Sequence, residues 1–205
     1  MYIVCEWVVG TGKTTQSKLL AEWLRATHPW QEVLRIREPW GTQIAEAIRA
    51  LVQATPFDEL MCPLTDVYLY AAARAQLLWW LVQPALARWA WVVSDRNVCS
   101  SLAYQWWTQW IGIETVWQIN APAVLATMPT AILFFDLSVQ VGMQRTFDAW
   151  GDKRESKGVD FFHRVYEGYQ HVATLPSLAP LWKSVDVSGS PEEVALKIQA
   201  AITVV

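Results

Sequence analysis

A chain of 205 residues that is 53% hydrophobic and 17% charged carries enough apolar surface for one well-buried domain, which excludes a disordered or fibrous protein. Its formal net charge of −3 gives no general attraction to nucleic acid or to an acidic membrane, so any phosphate binding must be local. With no leader segment read ahead of the first strand and no uncharged apolar run of about 18 residues, a soluble cytoplasmic protein without membrane contact is expected.

The first predicted strand is the apolar run Tyr2-Ile3-Val4-Cys5, followed by Gly10-Thr11-Gly12-Lys13-Thr14-Thr15. A buried strand, a glycine-containing turn and a helix over about 13–25 form the layout of a phosphate-binding loop. Its glycines let backbone N–H groups converge on a polyphosphate, the helix N-terminus adds partial positive charge, and Lys13 adds a full one. Thr14 then places a hydroxyl for Mg²⁺. The full pattern has one more Gly, at the position that Trp7 occupies.

His28-Pro29-Trp30 breaks the first helix, and a second strand over about 32–37 ends in Glu38-Pro39-Trp40-Gly41-Thr42. There Pro and Gly mark a loop, and Thr42 is suited to cap a helix running to about residue 52. One long helix is expected over about 63–87, with Tyr70 and Arg74 on a single face. Trp91-Val92-Val93-Ser94 reads as a central strand delivering Asp95-Arg96 at its carboxyl end. Helices over about 100–107 and 114–125 lead to a fourth strand, 131–135, that ends at Asp136. A helix over 139–147, a charged glycine-flanked loop at about 149–159, a helix over 161–172, a strand near 183–187 and a helix from Pro191 to about 202 complete the chain. No repeat or linker divides it, so residues 1–205 are read as one domain.

Strands alternating with helices predict an α/β fold of three layers (αβα), a five-stranded parallel sheet flanked by helices as in P-loop nucleotide hydrolases. Ligands in such sheets lie beyond the carboxyl ends of the strands, where the loop at Gly10–Thr15, Arg37-Glu38, Asp95-Arg96 and Asp136 all fall. The scattered Cys5, Cys62 and Cys99, and His28, His163 and His171, match no metal-ligand spacing.

Phosphoryl transfer asks for positioning and charge neutralisation more than covalent chemistry. Lys13 is the candidate for the β- and γ-phosphates of a nucleoside triphosphate. Asp95 is a candidate for holding Mg²⁺ directly or through water, or else simply pairs with Arg96. Arg96 and Arg74 are suited to clamp a second phosphate or a base edge. Tyr70 either stacks on a base or is a core aromatic. The loop carrying Lys153, Arg154 and Lys157 is either a solvated turn or a lid that brings a cation to the transferring group.

These residues resemble the thymidylate kinase family over nearly the whole chain. The segment from Cys5-Glu6 to Thr15-Gln16 resembles its phosphate-binding loop, and Arg37-Glu38-Pro39-Trp40-Gly41-Thr42 resembles its Arg-Glu-Pro-Gly-Gly-Thr loop. Ala71-Ala72-Ala73-Arg74-Ala75-Gln76 resembles an Ala-Ala-Asp-Arg-Ala-Gln helix. Ser94-Asp95-Arg96 with Ser100 to Gln105 resembles an Asp-Arg-Tyr motif and its helix, and Asp152 to Glu155 with Phe161-Phe162 and Gly168-Tyr169 resembles the lid and its helix. The resemblance implies MgATP-dependent phosphorylation of dTMP to dTDP for dTTP synthesis, usually by a homodimer. It implies that Gly10, Thr11, Gly12, Lys13, Thr14 and Thr15 bind ATP, with Thr14 and Asp95 toward Mg²⁺. Tyr70 stands where a Phe stacks on thymine, with Arg74 reaching the base. Arg37, Glu38, Pro39 and Arg96 belong to the dTMP side, and Ser101, Tyr104 and Gln105 line the nucleoside pocket. Lys153 and Arg154 inherit the catalytic cation.

Some positions depart from that pattern. Val9 replaces an acid of the loop, Ala73 the helix Asp, Asn97 the Tyr of Asp-Arg-Tyr, and Cys99 a further Asp. Trp7, Trp40, Trp89, Trp106 and Trp110 stand where the family usually has Gly, in a chain with 14 Trp against 9 Gly. Each indole forced into φ > 0 costs about 1–3 kcal/mol. Either a codon read as glycine by the source has been translated as tryptophan, or the chain carries these residues and is an impaired, nucleotide-binding relic. Ala73 and Asn97 also leave open a kinase for another nucleoside monophosphate.

Overall fold

Five short apolar segments form the strands: β1 (Tyr2–Glu6), β2 (Val33–Arg37), β3 (Trp91–Asp95), β4 (Ala131–Asp136) and β5 (Trp182–Asp186). The computed structural model describes residues 1–8, 10–53, 58–106, 111–147 and 158–203. All strand pairs are parallel, in the order β2-β3-β1-β4-β5. The chain therefore reverses its direction of growth at β1, and the crevice beyond the carboxyl end of that strand is where a ligand fits.

The helices are α1 (Lys13–Thr27), α2 (Gln43–Gln53), α3 (Pro63–Leu77), α4 (Gln83–Ala87), α5 (Val98–Ser101), α6 (Ile113–Val124), α7 (Val139–Phe147), α8 (Gly158–Val172) and α9 (Pro191–Thr203). Side chains alternate across β1, so Tyr2 and Val4 join the apolar layer beneath α3, α6 and α8, while Ile3, Cys5 and Trp7 join the layer of α1 and α9. The same period sends Glu6, a charged residue at the end of a buried strand, into the first layer. Thr42 caps α2 as expected, accepting from Ala45 N–H at 3.1 Å. No helix among the described residues is long and apolar enough to cross a membrane.

Two expected helices depart from regular α geometry. The run over 63–87 contains a π-helical turn, Leu78–Val82, in which Gln83 N–H donates to Leu78 O five residues back. Pro84 lacks the N–H that an α-helix would direct to Trp80 O, and the wider turn accommodates the missing bond. The segment expected as one helix over 100–107 is a single α turn, Val98–Ser101, followed by a π turn, Leu102–Trp106.

The expected strain at tryptophans in glycine positions is met at Trp89. Non-glycine residues with positive φ are Trp89 (61°) and Arg96 (74°) among the described residues. Trp40 escapes because Gly41 beside it takes φ 108°; its indole packs with Ala45 and Ala73 and lies 5.4 Å from the Tyr70 ring. Ala73, standing where the resembled helix has Asp, supplies the room. Trp110 lies outside the described residues. Trp89 closes α4: its N–H reaches Leu86 O at 2.9 Å and Ala90 N–H reaches Ala85 O at 3.0 Å. That bond pair defines a helix end whose left-handed residue is usually Gly. The Trp89 side chain is 82% exposed, so little packing offsets the strained backbone. Trp89→Gly is expected to raise the midpoint of thermal unfolding, followed by circular dichroism, by roughly 2–4 °C, the equivalent of about 1 kcal/mol. A midpoint that stays or falls would refute the strain.

Candidate active site

The loop after β1 turns twice through conformations that favour glycine, with φ 63° at Gly10 and 70° at Gly12. At Gly10 a Cβ would stand 1.7 Å from Gly142 O, so α7 closes on the loop as far as glycine permits. Among the described residues, a Cβ at Gly12 would meet nothing within 4 Å and no side chain caps the N-terminus of α1. The first N–H groups of α1 thus end in partial positive charge beside the open space at Gly12, the arrangement that suits an anion. Thr11 is buried beside it, and its Oγ1 has no partner among the described residues. Thr14 and Thr15 are exposed in the first turn, and Gln16 Nε2 ties α1 to Pro191 O at 2.9 Å. Lys13 is the first residue of α1; its side chain, like Val9, Lys153 and Arg154, lies outside what is described.

Trp7 does not occupy the open space at Gly12. Its indole is fully buried in the layer of α1 and α9, 6.3 Å from the Phe135 ring, with the Arg96 guanidinium carbon 4.5 Å from its centroid. Alternation along β1 decides this: the residue after Glu6 points to the opposite face.

Arg96 follows β3 in a left-handed turn, its N–H donating to Cys5 O at 2.9 Å. Nη1 donates to Ser100 Oγ at 2.9 Å, Tyr169 OH at 3.1 Å and Trp7 O at 3.3 Å. The Tyr104 ring lies 5.4 Å from the guanidinium carbon. Behind these hydroxyls sits Glu6, fully buried, accepting from Ser100 Oγ, Tyr169 OH and Asn97 N–H at 2.7 Å each. Burial pushes the Glu6 carboxyl up to about 7, while Arg96 and the three donors pull it down.

A second buried carboxylate organises the other half of the site. Glu38 accepts from Arg74 Nε at 2.6 Å and from Tyr2 OH at 2.7 Å, with both members of the ion pair 1% exposed. Burial again raises its pKa, and Arg74 opposes the rise. Arg74 donates further to Asn120 Oδ1, to Ser101 Oγ at 3.0 Å and to Asn97 O at 3.3 Å. Asn97 therefore joins the halves, its N–H on Glu6, its carbonyl on Arg74 and its Oδ1 accepting from Cys99 N–H at the start of α5.

The structure gathers most of the expected residues at this edge of the sheet. Arg37 ends β2 exposed, Asp95 ends β3 buried, and the Glu38–Pro39 peptide is cis. Tyr70 is half-buried against Trp40. Tyr104 OH donates to Val8 O at 3.2 Å. Gln105 Nε2 donates to Asp66 Oδ2 at 3.2 Å, while its buried Oε1 has no partner among the described residues. Glu6, Ser100, Asn120 and Tyr169 were not singled out from the sequence as site residues. A glutamate closing an otherwise apolar strand was the available signal; the others need the tertiary fold to acquire partners.

A family model described as thymidylate kinase matches residues 6–198. A thymidylate kinase of Synechococcus sp. (strain RCC307) is 34% identical over 201 residues, 97% of this chain and 93% of that one. A thymidylate kinase of Desulforudis audaxviator (strain MP104C) is 40% identical over 174 residues, 85% and 78% of the two chains. The crystal structure of thymidylate kinase from Ehrlichia chaffeensis superposes with a TM-score of 0.75 at 25% identity, covering 98% of each chain.

The Glu6 carboxyl predicts a pH signature. Its ordinary value is 4.5 and its folded value about 7, so the folded chain holds a proton that the unfolded chain has lost between those values. The stability this group contributes is fully present below the lower value and lost as pH rises through the upper one. Measured against Glu6→Gln, wild-type stability should fall by roughly 2–3 kcal/mol between about pH 5 and pH 8. A difference independent of pH would show that Glu6 does not titrate there.

Proposed function

This chain belongs to the thymidylate kinase family, and from that premise we propose how its own residues phosphorylate dTMP with ATP to give dTDP and ADP. The observation that carries the proposal is the doubly glycine-turned loop opening an uncapped helix N-terminus, set beside an arginine that is already held. Backbone N–H groups at Gly10, Thr11, Gly12, Lys13, Thr14 and Thr15 hold the ATP phosphates, with the Lys13 ammonium on the β- and γ-groups. The Thr11 hydroxyl, without a partner among the described residues, and the open space at Gly12 fit an anionic guest. Thr14 and Asp95 would hold Mg²⁺, which when bound neutralises phosphate charge, and few protein ligands suffice for that ion.

On the acceptor side, Arg37 and Arg96 hold the dTMP phosphate so that its oxygen lies in line with the γ-phosphorus. The phosphoryl group leaves the ADP oxygen for that oxygen, and catalysis consists of alignment and charge stabilisation. Tyr70 packs on the thymine ring, and Ser101 and Tyr104 line the pocket. Glu38 and Pro39 shape its wall, Glu38 by holding Arg74. Among the described residues, four of the five N–H donors of Arg74 have partners, and the fifth is assigned to a base oxygen. The Gln105 oxygen is available to a base N–H. Lys153 or Arg154 supplies the cation that meets the charge developing on the transferred group. The enzyme is cytoplasmic, with no nucleic-acid or membrane partner.

The exposed apolar stripe of Leu64, Tyr68 and Trp79 along α3 and the π turn after it supports a homodimer that covers this face. Tyr68→Glu would then shift sedimentation from twice the chain mass toward the single chain, and a wild-type monomer at micromolar concentration would refute the dimer.

The activity is tested with ATP and a panel of nucleoside monophosphates. One strongly preferred acceptor, dTMP, is expected, with Lys13→Ala lowering turnover about 10²–10³-fold. Several equal acceptors would establish a broader monophosphate kinase, and no turnover with any would leave a nucleotide-binding relic.

A further inference from the structure

Glu6 lies outside every contact assigned above to ATP, Mg²⁺ or dTMP, yet it is a fully buried carboxylate at the carboxyl end of the central strand. It does not touch solvent and is not needed to fill an apolar layer. Its surroundings are hydroxyls shared with Arg96. Ser100 Oγ lies 2.7 Å from Glu6 Oε2 and 2.9 Å from Arg96 Nη1, and Tyr169 OH lies 2.7 Å and 3.1 Å from the same two atoms.

The proton inventory fixes the direction of these bonds. The guanidinium only donates, and each hydroxyl has a single proton with lone pairs to spare. With Glu6 ionised, both hydroxyls accept from Arg96 and donate to Glu6; Ser100 Oγ and Tyr169 OH also lie 2.9 Å from each other. The third bond to the carboxylate, from Asn97 N–H at 2.7 Å, is also a donation. An ionised carboxylate satisfies all three donors. A carboxamide in the same place cannot: with its oxygen at the Oε2 position its NH₂ meets the Asn97 N–H, and with its NH₂ there it faces both hydroxyls.

We propose that Glu6 is a positioning residue for Arg96, orienting the Ser100 and Tyr169 hydroxyls as acceptors so that the guanidinium is held at the acceptor side of the crevice. Tyr169 comes from α8 and Ser100 from α5, so the same carboxylate locks two helices to the strand that carries the phosphate loop. The Trp7 and Tyr104 rings beside the guanidinium complete its enclosure, and orientation about that enclosure is what the hydroxyls decide. The inference rests on Arg96 as a ligand of the dTMP phosphate.

The test is steady-state kinetics of Glu6→Gln, Tyr169→Phe and their double variant, with Arg96→Lys as reference. Glu6→Gln should raise KM for dTMP about tenfold, as loss of a charge-assisted bond does, and leave KM for ATP within about twofold. Tyr169→Phe removes one oxygen and keeps the ring; it should raise KM for dTMP by a smaller factor, and the effect of Glu6→Gln should shrink in its presence. If Glu6→Gln does not fold, an unchanged dTMP KM in Tyr169→Phe still overturns the proposal. Equal rises in both KM values with a lowered unfolding midpoint overturn it in favour of simple structural support. Arg96→Lys separates the two readings. A dTMP KM raised by Arg96→Lys but untouched by Glu6→Gln overturns the positioning role alone, whereas a dTMP KM indifferent to Arg96→Lys removes the ligand role and the inference with it.

Discussion

Two carboxylates buried under the carboxyl edge of a parallel sheet impose the constraint on which this site depends. A charge taken out of water costs several kcal/mol unless it is paired and hydrogen-bonded. Glu6 and Glu38 meet that demand by recruiting Arg96 and Arg74, together with Tyr169, Ser100, Tyr2 and Asn97. The two arginines are thus oriented by carboxylates and hydroxyls buried behind them. Asn97 makes the two halves one network through its own N–H and carbonyl.

The same constraint explains two departures from the family pattern. Asn97, standing where a Tyr is usual, caps α5 through its side chain and bridges the networks through its backbone, a task that asks little of the side chain beyond capping. Ala73, standing where an acid is usual, lies against Trp40 and Ala45. A third buried carboxylate there would meet an indole in place of a partner, so the two changes are sterically matched. The tryptophans in glycine positions do not act alike. Trp7 and Trp40 are buried with ring partners at ordinary backbone angles, whereas Trp89 holds a left-handed helix end and exposes its ring. That last position keeps the backbone signature of a glycine, in accord with a codon read differently by the source; sequencing all five codons as UGG would exclude that origin.

Arg96 combines a positive φ with three hydrogen bonds from one nitrogen and two aromatic neighbours. Strained backbone persists where the surroundings over-determine it, and such positions cluster at functional sites. A guanidinium held in place beforehand carries no ordering cost into any binding step it takes part in.

The sequence by itself determined the strand and helix order, the parallel sheet, the phosphate loop and the edge at which Arg37, Asp95 and Arg96 gather. Those follow from local signals: apolar runs, glycine turns, a Thr cap and charged residues at strand ends. It did not determine where Trp7 would go, which a two-residue period settled only once β1 ended at Glu6. Nor did it disclose the roles of Glu6, Tyr169 and Asn120, because each acquires its meaning from a partner far away in the chain. The π turn before Pro84 was likewise hidden, since only the completed helix reveals where the missing donor is absorbed. Periodicity fixes which face a residue takes, but only packing decides what it finds there, and for a buried charge that neighbour is the function.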